Sequence, residues 1–119
     1  MKIVYATAHG STRKFLDKLA VTDALEIKDG SEKVSEDFIL FTPTTGNGLV
    51  PENVKTFLKD NHLHLKAVVG NCSSARHAKT FGFAADAISQ EYKVPVLFKY
   101  EGEGSQSDVT IMKNLIAAW

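Results

Sequence analysis

Ala6-Thr7-Ala8-His9-Gly10-Ser11-Thr12-Arg13 separates a short apolar run, Lys2-Ile3-Val4-Tyr5, from a segment with Phe15, Leu16 and Leu19 at helical spacing. A strand that turns through small hydroxyl and glycine residues into a helix is how a parallel α/β protein builds an anion site. The turn aims backbone N–H groups at one point, and the helix start adds a partial positive charge. Thr7, Ser11 and Thr12 add hydroxyl donors. The loop has no lysine, and its spacing is neither Gly-x-x-x-x-Gly-Lys nor Gly-x-Gly-x-x-Gly. That donor set suits a terminal phosphate monoester better than a nucleoside triphosphate or a dinucleotide. In the plainer alternative, the same residues only cap a helix after a tight turn.

Two further loops have the same flavour. One runs from Thr42 through Pro43, Thr44, Thr45, Gly46, Asn47 and Gly48 to Pro51. The other runs from Gly70 through Asn71, Cys72, Ser73 and Ser74 to Arg76 and His77. Both are rich in Gly, Ser, Thr and Asn and poor in carboxylates. That composition suits a neutral polar ring system held by backbone groups, not a metal. His9, His62, His64 and His77 are scattered without ligand spacing, and His62 and His64 are expected in a solvated turn. A cysteine phosphatase loop would need a longer run before its arginine than Ser73-Ser74-Ala75 provides. A receiver domain would need an Asp where the chain has Phe41-Thr42 and an acidic pair where it has Ala6-Thr7. Cys72 therefore reads as a small buried residue at a strand end.

The elements that must position these loops follow from periodicity. Apolar runs at Ile3–Tyr5, Ala24–Ile27, Phe38–Phe41, Leu65–Val69 and Val94–Phe98 are five strands. The third is nearly continuous in apolar residues, as a central parallel strand should be. Between and after them lie helical stripes: Phe15, Leu16, Leu19; then Val54, Phe57, Leu58 after Pro51; then Phe81, Ala84, Ala85, Ile88; then Val109, Met112, Ile116. Ser105 and Asp108 form a capping-box-like start for the last helix. This alternation predicts one α/β domain over residues 1–119, a parallel sheet with helices on both faces. Lys28 to Asp37 is polar and without an apolar stripe. It reads as an extended connection in place of a crossover helix.

The chain of 119 residues has 14 basic and 14 acidic side chains and zero formal net charge. That balance argues against a nucleic-acid partner. A single cysteine excludes an internal disulfide, and no segment has the length to span a bilayer. With no signal-peptide pattern at Met1, a cytoplasmic location is the expectation.

Together the loops resemble a flavodoxin-type FMN site, and more narrowly the NrdI family of small flavodoxin-like activators of class Ib ribonucleotide reductase. The segments that carry the resemblance are Asp37–Phe41 running into Thr44-Thr45-Gly46-Asn47-Gly48-Leu49-Val50-Pro51, the stretch Phe81–Ile88, and Tyr100–Val109 with its Gly-Ser-x-x-Asp-Val pattern. The resemblance implies a five-stranded parallel sheet in the order 2-1-3-4-5, with the connection between strands two and three shortened. It implies FMN, with the phosphate on Thr7, Ala8, His9, Gly10, Ser11 and Thr12. The isoalloxazine would lie between Pro43, Thr44, Thr45, Gly46, Asn47 and Gly48 and the opposite loop of Asn71, Cys72, Ser73, Ser74, Arg76 and His77. It implies a redox accessory protein rather than a stand-alone enzyme. Reduced flavin and O₂ would yield superoxide or peroxide for the dimanganese-tyrosyl radical site of the reductase small subunit, with electrons from a reductant the sequence does not identify. The third loop departs from the family pattern of Ser-Gly-Asn-Arg-Asn, then Phe or Trp, then Gly. Here it reads Cys72-Ser73-Ser74-Ala75-Arg76-His77-Ala78. The alternatives are a general flavodoxin-type electron carrier and a flavin-free paralogue acting as an interaction domain.

Overall fold

The computed structural model describes residues 1–7, 10–44, 49–72 and 82–119. In chain order the elements are β1 (Lys2–Tyr5), α1 (Ser11–Lys18), β2 (Ala24–Glu26), β3 (Phe38–Pro43), α2 (Glu52–Asn61), a 3₁₀ turn (His62–His64), β4 (Leu65–Cys72), α3 (Phe83–Tyr92), β5 (Val96–Glu101) and α4 (Gln106–Ala117). The strands are all parallel and lie in the order β2-β1-β3-β4-β5. This is the flavodoxin-like order expected from the sequence.

Side chains alternate across the sheet, so each strand feeds two cores. Ile39 and Phe41 of β3 face the layer of α1 and α4, where Phe15, Leu16, Val109 and Met112 are buried. Phe38 and Leu40 face the layer of α2 and α3, where Val54, Phe57, Leu58, Ala85 and Ile88 are buried. Phe38 meets Phe57 edge-on at 5.7 Å, and Phe15 stacks on Tyr100 at 3.9 Å. Every residue of β3 is buried, which explains why its sequence is apolar without a polar face.

Strand ends differ from the sequence reading in a consistent direction. β3 runs on to Pro43 and β4 to Cys72, because Thr42, Pro43, Gly70 and Asn71 stay in register with one another beyond the apolar run. β5 starts at Val96, and Pro95 lies just before it with its carbonyl accepting from Val68 N. Pro51 is the N-cap of α2, at the helix start as expected. The expected stripe residue Phe81 lies outside the described residues. His62 and His64 do form a turn: His62 is bonded to the Leu58 carbonyl and stacked on Tyr92, and His64 is paired with Asp37.

Residues 28–37 contain neither helix nor strand. Two asparagines of α2 take the place of a crossover helix. Asn53 donates to the carbonyls of Ile27 and Lys28. Asn61 donates to the Glu32 and Phe57 carbonyls and accepts from Val34 N. The Glu32 carboxylate accepts from Lys28 N and Gly30 N. Its partial burial would raise its pKa, but the backbone N–H donors outweigh that and hold it below the ordinary value.

Asn61 is buried, so Asn61→Leu should leave Val34 N and the Glu32 carbonyl without this partner. We expect a loss of about 2–3 kcal/mol in urea unfolding. Amide exchange should rise selectively over residues 28–37. A variant within about 0.5 kcal/mol of the parent would show that this amide does not hold the connection.

Candidate functional site

In open parallel sheets, ligands bind beyond the carboxyl ends of the strands where the order reverses. Here the reversal lies between β1, which leads outward to β2, and β3, which leads the other way to β4. The first turn after β1 opens directly at that point.

Gly10 is the N-cap of α1 and sits at φ 83°, a left-handed conformation that glycine adopts without a Cβ penalty. Its N–H donates to Thr7 Oγ1 at 2.8 Å. The Thr7 hydroxyl thereby accepts. Gly10 has no side chain with which to cap α1. The first-turn N–H groups of a helix have no intrahelical acceptor. In α1 the backbone ladder begins with Lys14 N donating to Gly10 O. The plain-capping alternative is therefore not how this turn is built: neither Ser11 nor Thr12 caps the helix it starts.

Ser11 Oγ instead donates to Asn71 Oδ1 at 3.2 Å, and Asn71 Nδ2 donates to the Gly102 carbonyl at 2.8 Å. The Asn71 backbone carbonyl accepts from Thr44 N. Asn71, only 2% exposed, thus ties the ends of β1, β3, β4 and β5 into one frame. Thr44 Oγ1 accepts from Ala84 N at 3.2 Å and so caps α3 across the sheet, because the residue before α3, Gly82, has no capping side chain. Thr42 is fully buried with its hydroxyl on the Pro43 carbonyl. Sequence reading missed the Asn71 and Thr44 scaffold roles, since neither contact is between neighbours in the chain.

Thr12 is fully buried, and among the described residues its hydroxyl has no hydrogen-bond partner. The Tyr100 hydroxyl is in the same condition. Arg13 and Lys14 do not supply a cation to the turn. Arg13 pairs with Asp17 and donates to Tyr5 Oη, and Lys14 pairs with Glu103. Among the described residues the donors offered at the turn are thus hydroxyls and amides.

Of the residues assigned from sequence, the structure brings Thr7, Gly10, Ser11, Thr12, Pro43, Thr44 and Asn71 to one end of the sheet. Cys72 closes β4. Ala8, His9, Thr45, Gly46, Asn47, Gly48, Ser73, Ser74, Arg76 and His77 lie outside the described residues. Leu49 and Phe83, which border the undescribed stretches, are 60% and 44% exposed. A separate groove of about 300 Å³ lies between α2 and α3 over Leu58 and Ile88. It is walled by helices, away from the turn after β1. Among the described residues no cluster of His, Cys, Asp or Glu could hold a metal, and no helix is long and apolar enough to cross a membrane.

Asn71→Asp tests the frame. The new carboxylate would face the Gly102 carbonyl in a buried position, so its pKa in the folded state should rise above the ordinary value of about 3.9. A folded-state pKa above the unfolded one means stability is retained at low pH and lost as pH rises through the folded value. We expect little change near pH 4 and a deficit of about 2–4 kcal/mol at pH 7 by urea unfolding. A deficit independent of pH would contradict a buried acidic group at this point.

The fold recurs in known structures. A short-chain flavodoxin associated with a non-canonical PDU bacterial microcompartment matches with a TM-score of 0.71 at 16% identity, covering 98% of this chain and 93% of that one. The flavodoxin, WrbA-like protein from Agrobacterium tumefaciens matches with a TM-score of 0.67 at 14% identity, covering 98% and 91%. A point mutant of Fusobacterium nucleatum flavodoxin, bound to flavin mononucleotide, matches with a TM-score of 0.64 at 16% identity, covering 98% and 92%. At these identities the likeness is one of fold. The sequence match is narrower: the family described as NrdI flavodoxin-like matches residues 3–114. The chain therefore belongs to the NrdI flavodoxin-like family.

Proposed function

We propose that this protein binds FMN at the turn after β1 and serves, in the cytoplasm, as the flavoprotein that activates a class Ib ribonucleotide reductase. The observation that carries the flavin reading is the turn itself. An α1 start whose N-cap is a glycine, a Thr7 hydroxyl beside it that accepts from Gly10 N, and the buried hydroxyl of Thr12, unpartnered among the described residues, would make a cradle for a phosphate monoester. Family membership supports the rest, as does the flavin mononucleotide held by the Fusobacterium nucleatum neighbour. The bound flavin would transfer electrons to O₂, giving superoxide or peroxide for the dimanganese site of the reductase small subunit. The protein's part is to hold the phosphate on Thr7, Gly10, Ser11 and Thr12. The ring would lie between the loop from Pro43 and Thr44 through Gly48 and the loop from Asn71 through His77. Zero net charge offers little field for steering many transient partners, which favours a dedicated partner over a general electron carrier. Leu49 and Phe83 give the rim apolar surface that such a partner would cover.

FMN should bind with one equivalent per chain and far more tightly than riboflavin. Thr12→Val should weaken FMN by about 1.5–3 kcal/mol, the value of a hydrogen bond to a charged acceptor. Ser11→Ala should weaken it less, because the Ser11 hydroxyl is spent on Asn71 and acts on the site only by placing the turn. Fluorescence titration with both flavins checks this. Equal affinity for the two would remove the phosphate assignment, and a colourless protein that takes up neither would favour the interaction-domain alternative.

A class Ib small subunit should form a complex that survives moderate salt, because the neutral chain contributes little long-range attraction. Calorimetry with the flavoprotein oxidised and then reduced is the measurement. Absence of binding in both states would rule out the activator role.

A further inference from the structure

Thr12 and Tyr100 pose a problem of hydrogen-bond arithmetic. Thr12 lies in the first turn of α1, one residue after Ser11, and is fully buried. Tyr100 ends the buried part of β5, is 2% exposed, and is fixed by its ring stack on Phe15 at 3.9 Å. Gly104 helps to lock that stack. It sits at φ 81°, and a Cβ there would overlap the Phe15 ring. The Thr12 hydroxyl adjoins the Tyr100 hydroxyl as a hydrogen-bonding neighbour that pulls the phenol's pKa down against the larger effect of burial. Yet neither makes a well-formed hydrogen bond among the described residues. Buried hydroxyls are seldom left in that state.

Two hydroxyls carry two protons. If each turns toward the other, one O–H is satisfied and one proton is left without an acceptor. The neighbouring carboxylate, Asp108, is already engaged by Ser105 N in the capping box of α4. Burial raises the Tyr100 phenol well above its ordinary pKa, so it stays an O–H donor throughout the accessible pH range. The missing partner is an acceptor, and it is missing beside a helix start whose N–H groups also lack acceptors. An anion oxygen completes both sets.

We infer that Tyr100 is a positioning residue for the phosphate: its O–H donates to Thr12 Oγ1 and so directs the Thr12 O–H to the anion at the start of α1. This deepens the flavin reading and rests on it. A relay of this kind strengthens each member, since a hydroxyl that accepts a hydrogen bond is the better donor. It also makes β5 part of the phosphate site, although no residue of β5 adjoins that site in sequence.

The test is Tyr100→Phe, which keeps the ring stacked on Phe15 and removes only the hydroxyl. Affinities for FMN and riboflavin are compared for wild type, Tyr100→Phe, Thr12→Val and the double variant, with urea unfolding as the control for packing. The ratio of FMN to riboflavin affinity should fall about 3–10-fold in Tyr100→Phe. It should fall further in Thr12→Val, and adding Tyr100→Phe to Thr12→Val should change it no more. Thr12→Ser, which retains the hydroxyl, should keep the ratio sensitive to Tyr100. An unchanged ratio in Tyr100→Phe overturns the proposal, whether both affinities hold or both drop together. So does an effect that persists undiminished in the Thr12→Val background. If wild type binds neither flavin, the flavin reading fails on its own account. The relay is then judged by inorganic phosphate: a rise in Tm with phosphate that Tyr100→Phe abolishes supports it, and a rise that Tyr100→Phe leaves intact overturns it.

Discussion

A single buried amide holds the carboxyl ends of the strands in one frame. Asn71 stands in β4, receives Ser11 Oγ from the α1 start, and donates to the Gly102 carbonyl after β5, while its backbone carbonyl receives Thr44 N after β3. Loops beyond a parallel sheet have no ladder of their own, so their relative positions must be fixed by side chains. An amide is suited to this because it donates and accepts at once and carries no charge to desolvate. A carboxylate in its place would face the Gly102 carbonyl. One hydroxyl of the turn after β1, Ser11 Oγ, is committed to setting its location, and the Thr12 hydroxyl is left without a partner among the described residues.

The same economy explains how the chain dispenses with a helix between β2 and β3. A crossover helix would shield this face and satisfy its own backbone internally. Residues 28–37 cannot satisfy theirs, so the donors and acceptors come from α2 and from Glu32. The edge strand β2 is short, three residues, and is further pinned by Tyr5 Oη donating to Glu26. A short, tied edge also limits unwanted strand pairing.

What was legible in the sequence is what depends on local pattern. Apolar runs and helical stripes marked the five strands and four helices, and Ser105 with Asp108 announced a capping box that the structure contains in full. The hydroxyl-rich turn was legible as a strand-to-helix turn opening at the carboxyl end of β1, because its small and hydroxyl residues are consecutive. Illegible were the contacts that join distant segments: Ser11 with Asn71, Ala84 with Thr44, Val34 with Asn61. Asparagines and threonines in loops look alike whether they face a ligand or hold a neighbouring loop. Strand ends were underestimated for a related reason. Thr42, Gly70 and Asn71 are polar or small, yet remain in the ladder because β3 and β5 both continue beside β4, and β4 beside Thr42.

The absence of a lysine at the turn sets the character of the site. A point charge would attract any anion over a distance comparable with the Debye length. Oriented N–H groups and hydroxyls act only at contact and only along their own directions. Arg13 and Lys14, which stand nearest in sequence, are drawn outward to Asp17, Tyr5 and Glu103. The site thus gains little from long-range attraction and depends on geometry, and geometry is what the Phe15–Tyr100 stack and the Asn71 frame provide. A buried hydroxyl relay costs stability while its last proton lacks an acceptor and regains it when an oxygen arrives. Selectivity for a group with the right number of acceptors in the right place then comes from the protein interior rather than from surface charge.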